Sequence, residues 1–529
     1  MGGITGVRIP TVDMFINPTL RQRKEVYMTV TEDQSKDLNG SRNTSHFEGE
    51  SWVEKPWKKF EIVVFRLQKR IYKASQEGNF RKVKKLQRLL LKSRSAKFLA
   101  VRHVTQLNTG KRTPGIDGIA NLNDIERIQL VEELQGMSQC WSHREVRRIF
   151  IPKKNGEKRP LGIPIIADRA WEALIKLALE PAAEAVFHPR SYGFRPGRSA
   201  WDAAQDIFYQ TRSTTTRFSG KIYELDIEKC FDRIDHKYQM QTICLPKQYK
   251  MGVWRALKAG TMVGYVREDT VEGTPQGGVF SPLLANLALS GIENIGKCIR
   301  YADDMVFVIQ KDEDPEKMRK QIDKELQKRG LKVKESKTRL TDMTEGFDFL
   351  GFNFKLIGKP AIKSKRFPVK DWLKETKRKI NRILRMNFSD EIKAEKILRI
   401  CRGKIQYYKY CDLQSVQGQW RRLDDKIYNR FGVGIAKPKY NSTGYIKIGG
   451  NKSPFDGDTA YWVNRMNKKY DGIRHKLIKS QDAKCPMCKL RLRVTDEIHV
   501  HHVNKNHSDN QWQNLQVVHR ACHQIRHRL

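Results

Sequence analysis

No run of about 18 apolar residues occurs in this 529-residue chain, and hydrophobic residues make up only 39% of it, so no helix is expected to span a bilayer. The N-terminus "MGGITGVRIPTVDMF" lacks a basic start followed by an apolar segment, and the first fifty residues hold too many acids for a transit peptide. The chain is therefore expected to stay inside a cell or organelle. Cysteine is sparse, with nine in all, six scattered singly and only Cys485, Cys488 and Cys522 close to histidines, which excludes a disulfide framework. No internal repeat or long low-complexity tract is present. Acidic residues are also short: 59 Asp and Glu stand against 101 Lys and Arg, a formal charge of +42. Such an excess points to a polyanion, and without a membrane segment the expected partner is nucleic acid.

Residues 1–56 are polar and mixed in charge and read as a flexible leader. From Trp57, "KKFEIVVFRLQKRIYKAS" and "NFRKVKKLQRLLLKSRSAKFLAVRHVTQ" carry apolar residues at helical spacing with a basic opposite face. Further on, "VRRIFIPK" turns through "KNGEK" into "RPLGIP", a basic hairpin followed by a long helix from about Ala167. Lys153, Lys158 and Arg159 sit where they could hold a triphosphate.

In "IRYADDMVFVIQ", residues 299 to 310, two short apolar strands flank Asp303 and Asp304 at a tight reversal. A third carboxylate, Asp226, lies in the apolar strand of "KIYELDIEKCFDRIDH", where an acid is costly to bury without a partner or a metal. Two Mg²⁺ ions about 3.5 to 4 Å apart can activate a 3′-hydroxyl and stabilise a departing pyrophosphate, and they prefer carboxylate oxygens from separate segments. Asp226 and Asp303 are expected as bridging ligands, with Asp304 as a supporting acid.

"LDIEKCFDRIDH", "GTPQGGVFSPLLANLAL", "YADDMVFV", "GLKVKESKT" and "FLGF" follow one another as in a reverse transcriptase palm, with "RPLGIP" and "YGFRPGRSAWDA" upstream as in the fingers. The chain resembles the group II intron-encoded reverse transcriptase/maturase family. The resemblance implies that Phe231 gates against a 2′-hydroxyl and that Gln276 contacts template or nucleotide. It implies also that Gly277 and Gly278 admit the incoming base pair and that Lys337 lies near the triphosphate. A core role for Phe231 fits the same position. Three amphipathic segments after Pro368 resemble the thumb, or domain X. There Lys404 and the tyrosines Tyr407, Tyr408 and Tyr410 suit phosphate contact and base stacking, or else burial in a bundle.

"KPKYNSTGYIKIGGNKSPFDGD" reads as a linker beside a basic, DNA-contacting stretch. Beyond it, Cys485 and Cys488 with His519 and Cys522 offer four ligands for a structural Zn²⁺, His519 standing where a third cysteine would be usual. The remaining histidines resemble an HNH nuclease. That resemblance makes His502 the general base, gives His501, His523 and His527 to one divalent ion, and makes Asn514 the loop anchor. A binding-only zinc finger is the alternative.

The fold class expected is an α+β multidomain protein with right-hand fingers and palm (57–367), a three-helix thumb (368–436), a basic DNA-binding linker (437–483) and a small ββα-metal HNH module (484–529). The resemblance implies as partners intron RNA in a ribonucleoprotein, target DNA and dNTPs. A maturase with a vestigial polymerase, and a retron or CRISPR-associated reverse transcriptase, are the competing readings. The expected setting is a bacterial cytoplasm or nucleoid, or an organelle.

Overall fold

The computed structural model describes residues 51–529, apart from 153–155, 213–216, 275, 359–362, 439–443, 470–472, 494–495, 497, 507–508, 521 and 524–529. The expected leader falls almost wholly on residues 1–50, outside the described residues. Residues 55–529 form one compact unit.

Helices Trp57–Gln76, Phe80–Lys92 and Arg94–Arg102 open this unit. The second predicted helical segment breaks at Ser93, whose extended backbone (ψ 124°) ends one helix and starts the next. These helices pack on Ile166–Glu184, which is buried on nearly every side. Gln68, Ser75 and Gln87 donate to carbonyls of Leu177, Ala182 and Ala178, so polar groups facing that helix are satisfied by its backbone.

The basic hairpin Val146–Pro152/Lys158–Ile163 forms as expected and extends into a four-stranded sheet through Thr261–Val263 and Val266–Glu268. A second four-stranded sheet is central, in the order Lys297–Tyr301, Asp304–Gln310, Phe218–Leu225, Arg339–Asp342, all antiparallel. Its side chains alternate with period two. Ile222, Val306 and Val308 face one core with Ala203, Ala204 and Ile207. Tyr223, Leu225, Met305, Phe307 and Ile309 face the other, under Ala285, Ala288, Met318 and Ile322. With both faces covered, the strands read as continuous apolar runs, and the polar positions at their ends are set apart by contrast.

A three-stranded sheet, Phe347–Phe349, Phe352–Ile357 and Lys363–Pro368, leads to the three predicted helices, Trp372–Leu384, Asp390–Tyr408 and Gln417–Phe431. Trp372 stacks on Trp420 at 5.7 Å to tie the first helix to the third. The tyrosines expected to meet RNA are turned inward instead. Tyr407 stacks on Phe352 at 5.0 Å and donates to the Leu350 carbonyl, while Tyr408 is buried against Trp372 and Phe352. Tyr410 is buried between Trp201 and Tyr445, and Lys404 holds its ammonium 5.9 Å from the Tyr408 ring. Aromatic area is worth more packed between sheet and helices than exposed, so Tyr407 and Tyr408 fasten the bundle to the three-stranded sheet.

The segment expected to be a linker is also packed. Tyr445, Lys447 and Arg465 meet buried aspartates of helix Ala200–Gln210, Ile448 and Trp462 join the core, and Phe455 packs against Phe65 and Tyr72 of the first helix. The C-terminal module has its own small core: Leu477, Ile478 and Leu492 under the hairpin Ile498–His502/Leu515–His519. Arg493 places it on the first helix, with its guanidinium 4.4 Å from the Phe65 ring and 3.7 Å from Glu61.

Candidate functional site

The register Tyr301↔Asp304 leaves Ala302 and Asp303 as a two-residue turn, and Ala302 adopts φ 59°, a conformation that alanine seldom takes. Such backbone persists only where its surroundings enforce it. Here Arg300, fully buried, donates to the Ala302 carbonyl (3.0 Å), to Asn286 (2.8 Å) and to Glu293 (2.6 Å). Asn286 in turn donates to the Gly193 carbonyl. Gly193 presses so close that a Cβ there would stand 2.4 Å from the Ala302 nitrogen. None of these supports was singled out in the sequence. Arg300 carried the signal, since a charge inside an apolar strand needs a partner just as Asp226 does.

Asp226 follows immediately after Leu225, which pairs with Met305, so the sheet register carries it to the level of Asp304. The three aspartates are near enough to act on one another. Desolvation first, and then the Asp226 charge, raises the Asp303 pKa; desolvation and the charges of Asp303 and Asp226 push Asp304 up to about 6. Lys337 provides a counter-charge, its ammonium 2.8 Å from Asp226. A cluster of hard carboxylate oxygens from two chain segments suits divalent cations.

Arg159 on the basic hairpin donates to the Gln276 side chain at 2.7 Å, which joins two residues selected separately. The glycines beside Gln276 have local reasons of their own. A Cβ on Gly277 would stand 1.8 Å from the Gly162 carbonyl, and one on Gly278 would crowd Ser281 and Glu172. Glu172, fully buried and pushed up to about 8 chiefly by desolvation, accepts from the Val279 backbone and holds this loop to helix Ile166–Glu184. Phe231 is buried in the core beneath the sheet, and its carbonyl accepts from Thr274. Lys158 is exposed on the hairpin, and Lys153 lies outside the described residues.

In the C-terminal module one ligand atom from each of Cys485, Cys488, His519 and Cys522 lies within 4.8 Å of all the others. His519 turns Nδ1 toward the Cys488 sulfur (3.4 Å), and its Nε2 lies 3.1 Å from Asp496. A ring nitrogen oriented by a carboxylate, amid three sulfurs, is a donor set that fits Zn²⁺. The His523 ring lies 5.3 Å from His501 and 5.2 Å from His499. His499 was missed, although "IHVHH" places it on the same face of the strand as His501. His502, next along the strand, takes the alternate face. Asn514 accepts from Asn504, donates to the Asp509 carbonyl and receives Val503 on its own carbonyl, closing the loop between the strands. His527 lies outside the described residues.

Three family models match: N-terminal domain of reverse transcriptase over residues 52–134, reverse transcriptase (RNA-dependent DNA polymerase) over 151–354, and HNH endonuclease over 485–529. Fold and matches together define a reverse transcriptase that carries an HNH endonuclease. Maturase-like protein 1 of Euglena gracilis is 31% identical over 368 residues, covering 68% of this chain and 78% of that protein. Protein YkfC of Escherichia coli is 30% identical over 320 residues, 50% of this chain and 82% of that one. The group II intron-encoded protein LtrA of Lactococcus lactis is 36% identical over 232 residues, 42% of this chain and 37% of LtrA. The chain belongs to the group II intron-encoded reverse transcriptase/maturase family, with polymerase, maturase and endonuclease in one polypeptide.

The turn's supports yield a prediction of their own. Gly193→Ala must move the backbone at Ala302, because the atom in the way is main chain rather than a flexible side-chain end. Displacing a reacting group by about 1 Å costs on the order of 100-fold. Primer extension with Mg²⁺ should fall by that order while DNA nicking stays at wild-type level.

Proposed function

We propose that the protein acts in intron mobility by target-primed reverse transcription. Within a ribonucleoprotein it binds its intron RNA and assists splicing. The C-terminal module then nicks one strand of the target DNA, and the polymerase extends the new 3′-end with dNTPs by copying the intron. The observation that carries this reading is the meeting of Asp226 with Asp303 and Asp304 at one end of the central sheet, in a chain that also holds a His-rich hairpin beside a Cys/His cluster.

In this reading the two four-stranded sheets are the fingers and palm, the three helices after Pro368 are the thumb, and the C-terminal hairpin is the ββα-metal nuclease. Asp226 and Asp303 would hold paired Mg²⁺, which when bound lowers the pKa of the 3′-hydroxyl and offsets charge on the pyrophosphate. Asp304 adds negative charge beside them. Lys337 withdraws from Asp226 toward the triphosphate, with Arg159 and Lys158 as further cations for it. Gln276, oriented by Arg159, contacts the template base pair. Phe231, from the core beneath, limits space at the sugar. His502 takes a proton from the attacking water in the nuclease, His501 and His523 serve its ion, and Asn514 keeps the hairpin loop closed.

Since Tyr407 and Tyr408 are packed away, RNA contact passes to the outer face of helix Trp372–Leu384, where Lys374, Lys377, Arg378, Arg382 and Arg385 line a surface cleft. No helix among the described residues is long and apolar enough to cross a membrane. A bacterial or organellar setting agrees with the relatives. The test is to incubate the protein with intron RNA, a target duplex, dNTPs and Mg²⁺. The expected product is cDNA covalently joined to the nicked strand, and nicked DNA with unlinked cDNA would contradict the proposed sequence of steps.

A further inference from the structure

Two carboxylates have no part in the reading above, yet they are fully buried: Asp202 and Asp206, four apart on helix Ala200–Gln210. Asp202 accepts from the Ile448 backbone (2.7 Å) and from Arg465 (2.7 Å) while also capping its own helix. Asp206 pairs with Lys447 through one oxygen and accepts from the Tyr192 hydroxyl (2.9 Å) through the other. Every long-range cationic partner here comes from the packed segment that leads to the C-terminal module.

Tyr192 is in turn fixed to the polymerase turn. Its backbone nitrogen donates to the Arg300 carbonyl (2.8 Å), and Ser191 bridges to Arg300 as an added edge to the sheet. Gly193, the next residue, abuts Ala302. A continuous path thus runs from Lys447 through Asp206 and the Tyr192 hydroxyl to the backbone beneath Asp303. A fully buried carboxylate is conspicuous on such a path, because leaving it in the interior without its cation is unfavourable.

We infer that the segment around Lys447 is a strap for the polymerase turn, with Lys447, Asp206 and Tyr192 as positioning residues that hold 190–193 against strand Lys297–Tyr301. The strap makes DNA synthesis depend on a stretch of chain outside the polymerase domain match. This rests on the reading of Asp303 as a polymerase residue.

The test uses the full chain with its intron RNA and reads kcat and the dNTP KM for primer extension. Lys447→Met leaves Asp206 without its cation, but Asp206 keeps the Tyr192 hydroxyl and the Lys447 end of the pair is about one quarter exposed, so the variant should fold with a lowered melting temperature. By the cost of small misplacements at a reacting centre, kcat should fall about 10- to 100-fold with KM within about twofold, and Lys447→Arg should recover most of the loss. Tyr192→Phe, which removes only the hydroxyl, should act in the same direction. The double variant should lose no more than the worse single one, as members of one path do. Wild-type kcat in both single variants overturns the strap, as does strict additivity, or a loss that appears mainly in KM. Asp303→Asn is measured in parallel. If it still extends primers, the polymerase reading fails; if it is inactive while Lys447→Met and Tyr192→Phe are both normal, only the strap fails.

Discussion

Asp303→Asn should reduce primer extension by about 10³-fold or more, an effect of several kcal/mol on the transition state. The substitution keeps the side chain's shape, so the turn held by Arg300 and Gly193 should survive. What is lost is one negative charge from a cluster in which Asp226 raises the pKa of Asp303 and both raise that of Asp304. Removing it relieves repulsion within the free protein and leaves fewer oxygens for Mg²⁺, so the variant should be no less stable thermally while being nearly inactive. Splicing should be largely retained, because the basic face of helix Trp372–Leu384 is remote from the turn in sequence and belongs to a different element. Extension on a primed RNA template and splicing of a precursor, measured on the same preparation, check this. Equal loss of both would show that the two activities do not separate.

His502→Ala should eliminate nicking of the target strand, a loss of about 10² to 10⁴-fold for removal of a general base. The Cys/His cluster and Asn514's three hydrogen bonds hold the hairpin independently of that ring, so the module should stay folded. Extension from a pre-annealed primer should be unchanged. Nicking at the wild-type rate would refute the role given to His502, and the strand position beside it, His501, would become the candidate base.

Much of this was legible because polar residues interrupt otherwise regular patterns. Asp226, Asp303 and Asp304 stand at the ends of apolar runs that the double-sided packing of the central sheet requires. The Cys/His spacing foretold a cluster that the fold closes. The tyrosines at 407, 408 and 410 misled, since the same alternation of aromatic and basic residues serves a bundle that buries its rings as well as a surface that stacks bases. The stretch at 444–465 was hidden for a different reason. Gly, Pro, Lys and Asn without periodicity carry no local signal, and the segment's cations pair with carboxylates 241 and 263 positions earlier in the chain. The available hint lay there: in "SAWDAAQDI" two aspartates at helical spacing occupy what would otherwise be an apolar face. Likewise, that Gly277 is required by the Gly162 carbonyl, rather than by a nucleotide alone, follows only from the docking of two distant segments.

Asp226 and Asp303 together are expected to clasp a pair of catalytic cations, and anomalous diffraction from crystals soaked in Mn²⁺ with primer, template and an unreactive dNTP analogue measures this. Two peaks about 3.5 to 4 Å apart between these carboxylates are predicted, with Lys337 released from Asp226. Peaks elsewhere, or an Asp226 still paired with Lys337 beside a bound nucleotide, would contradict it.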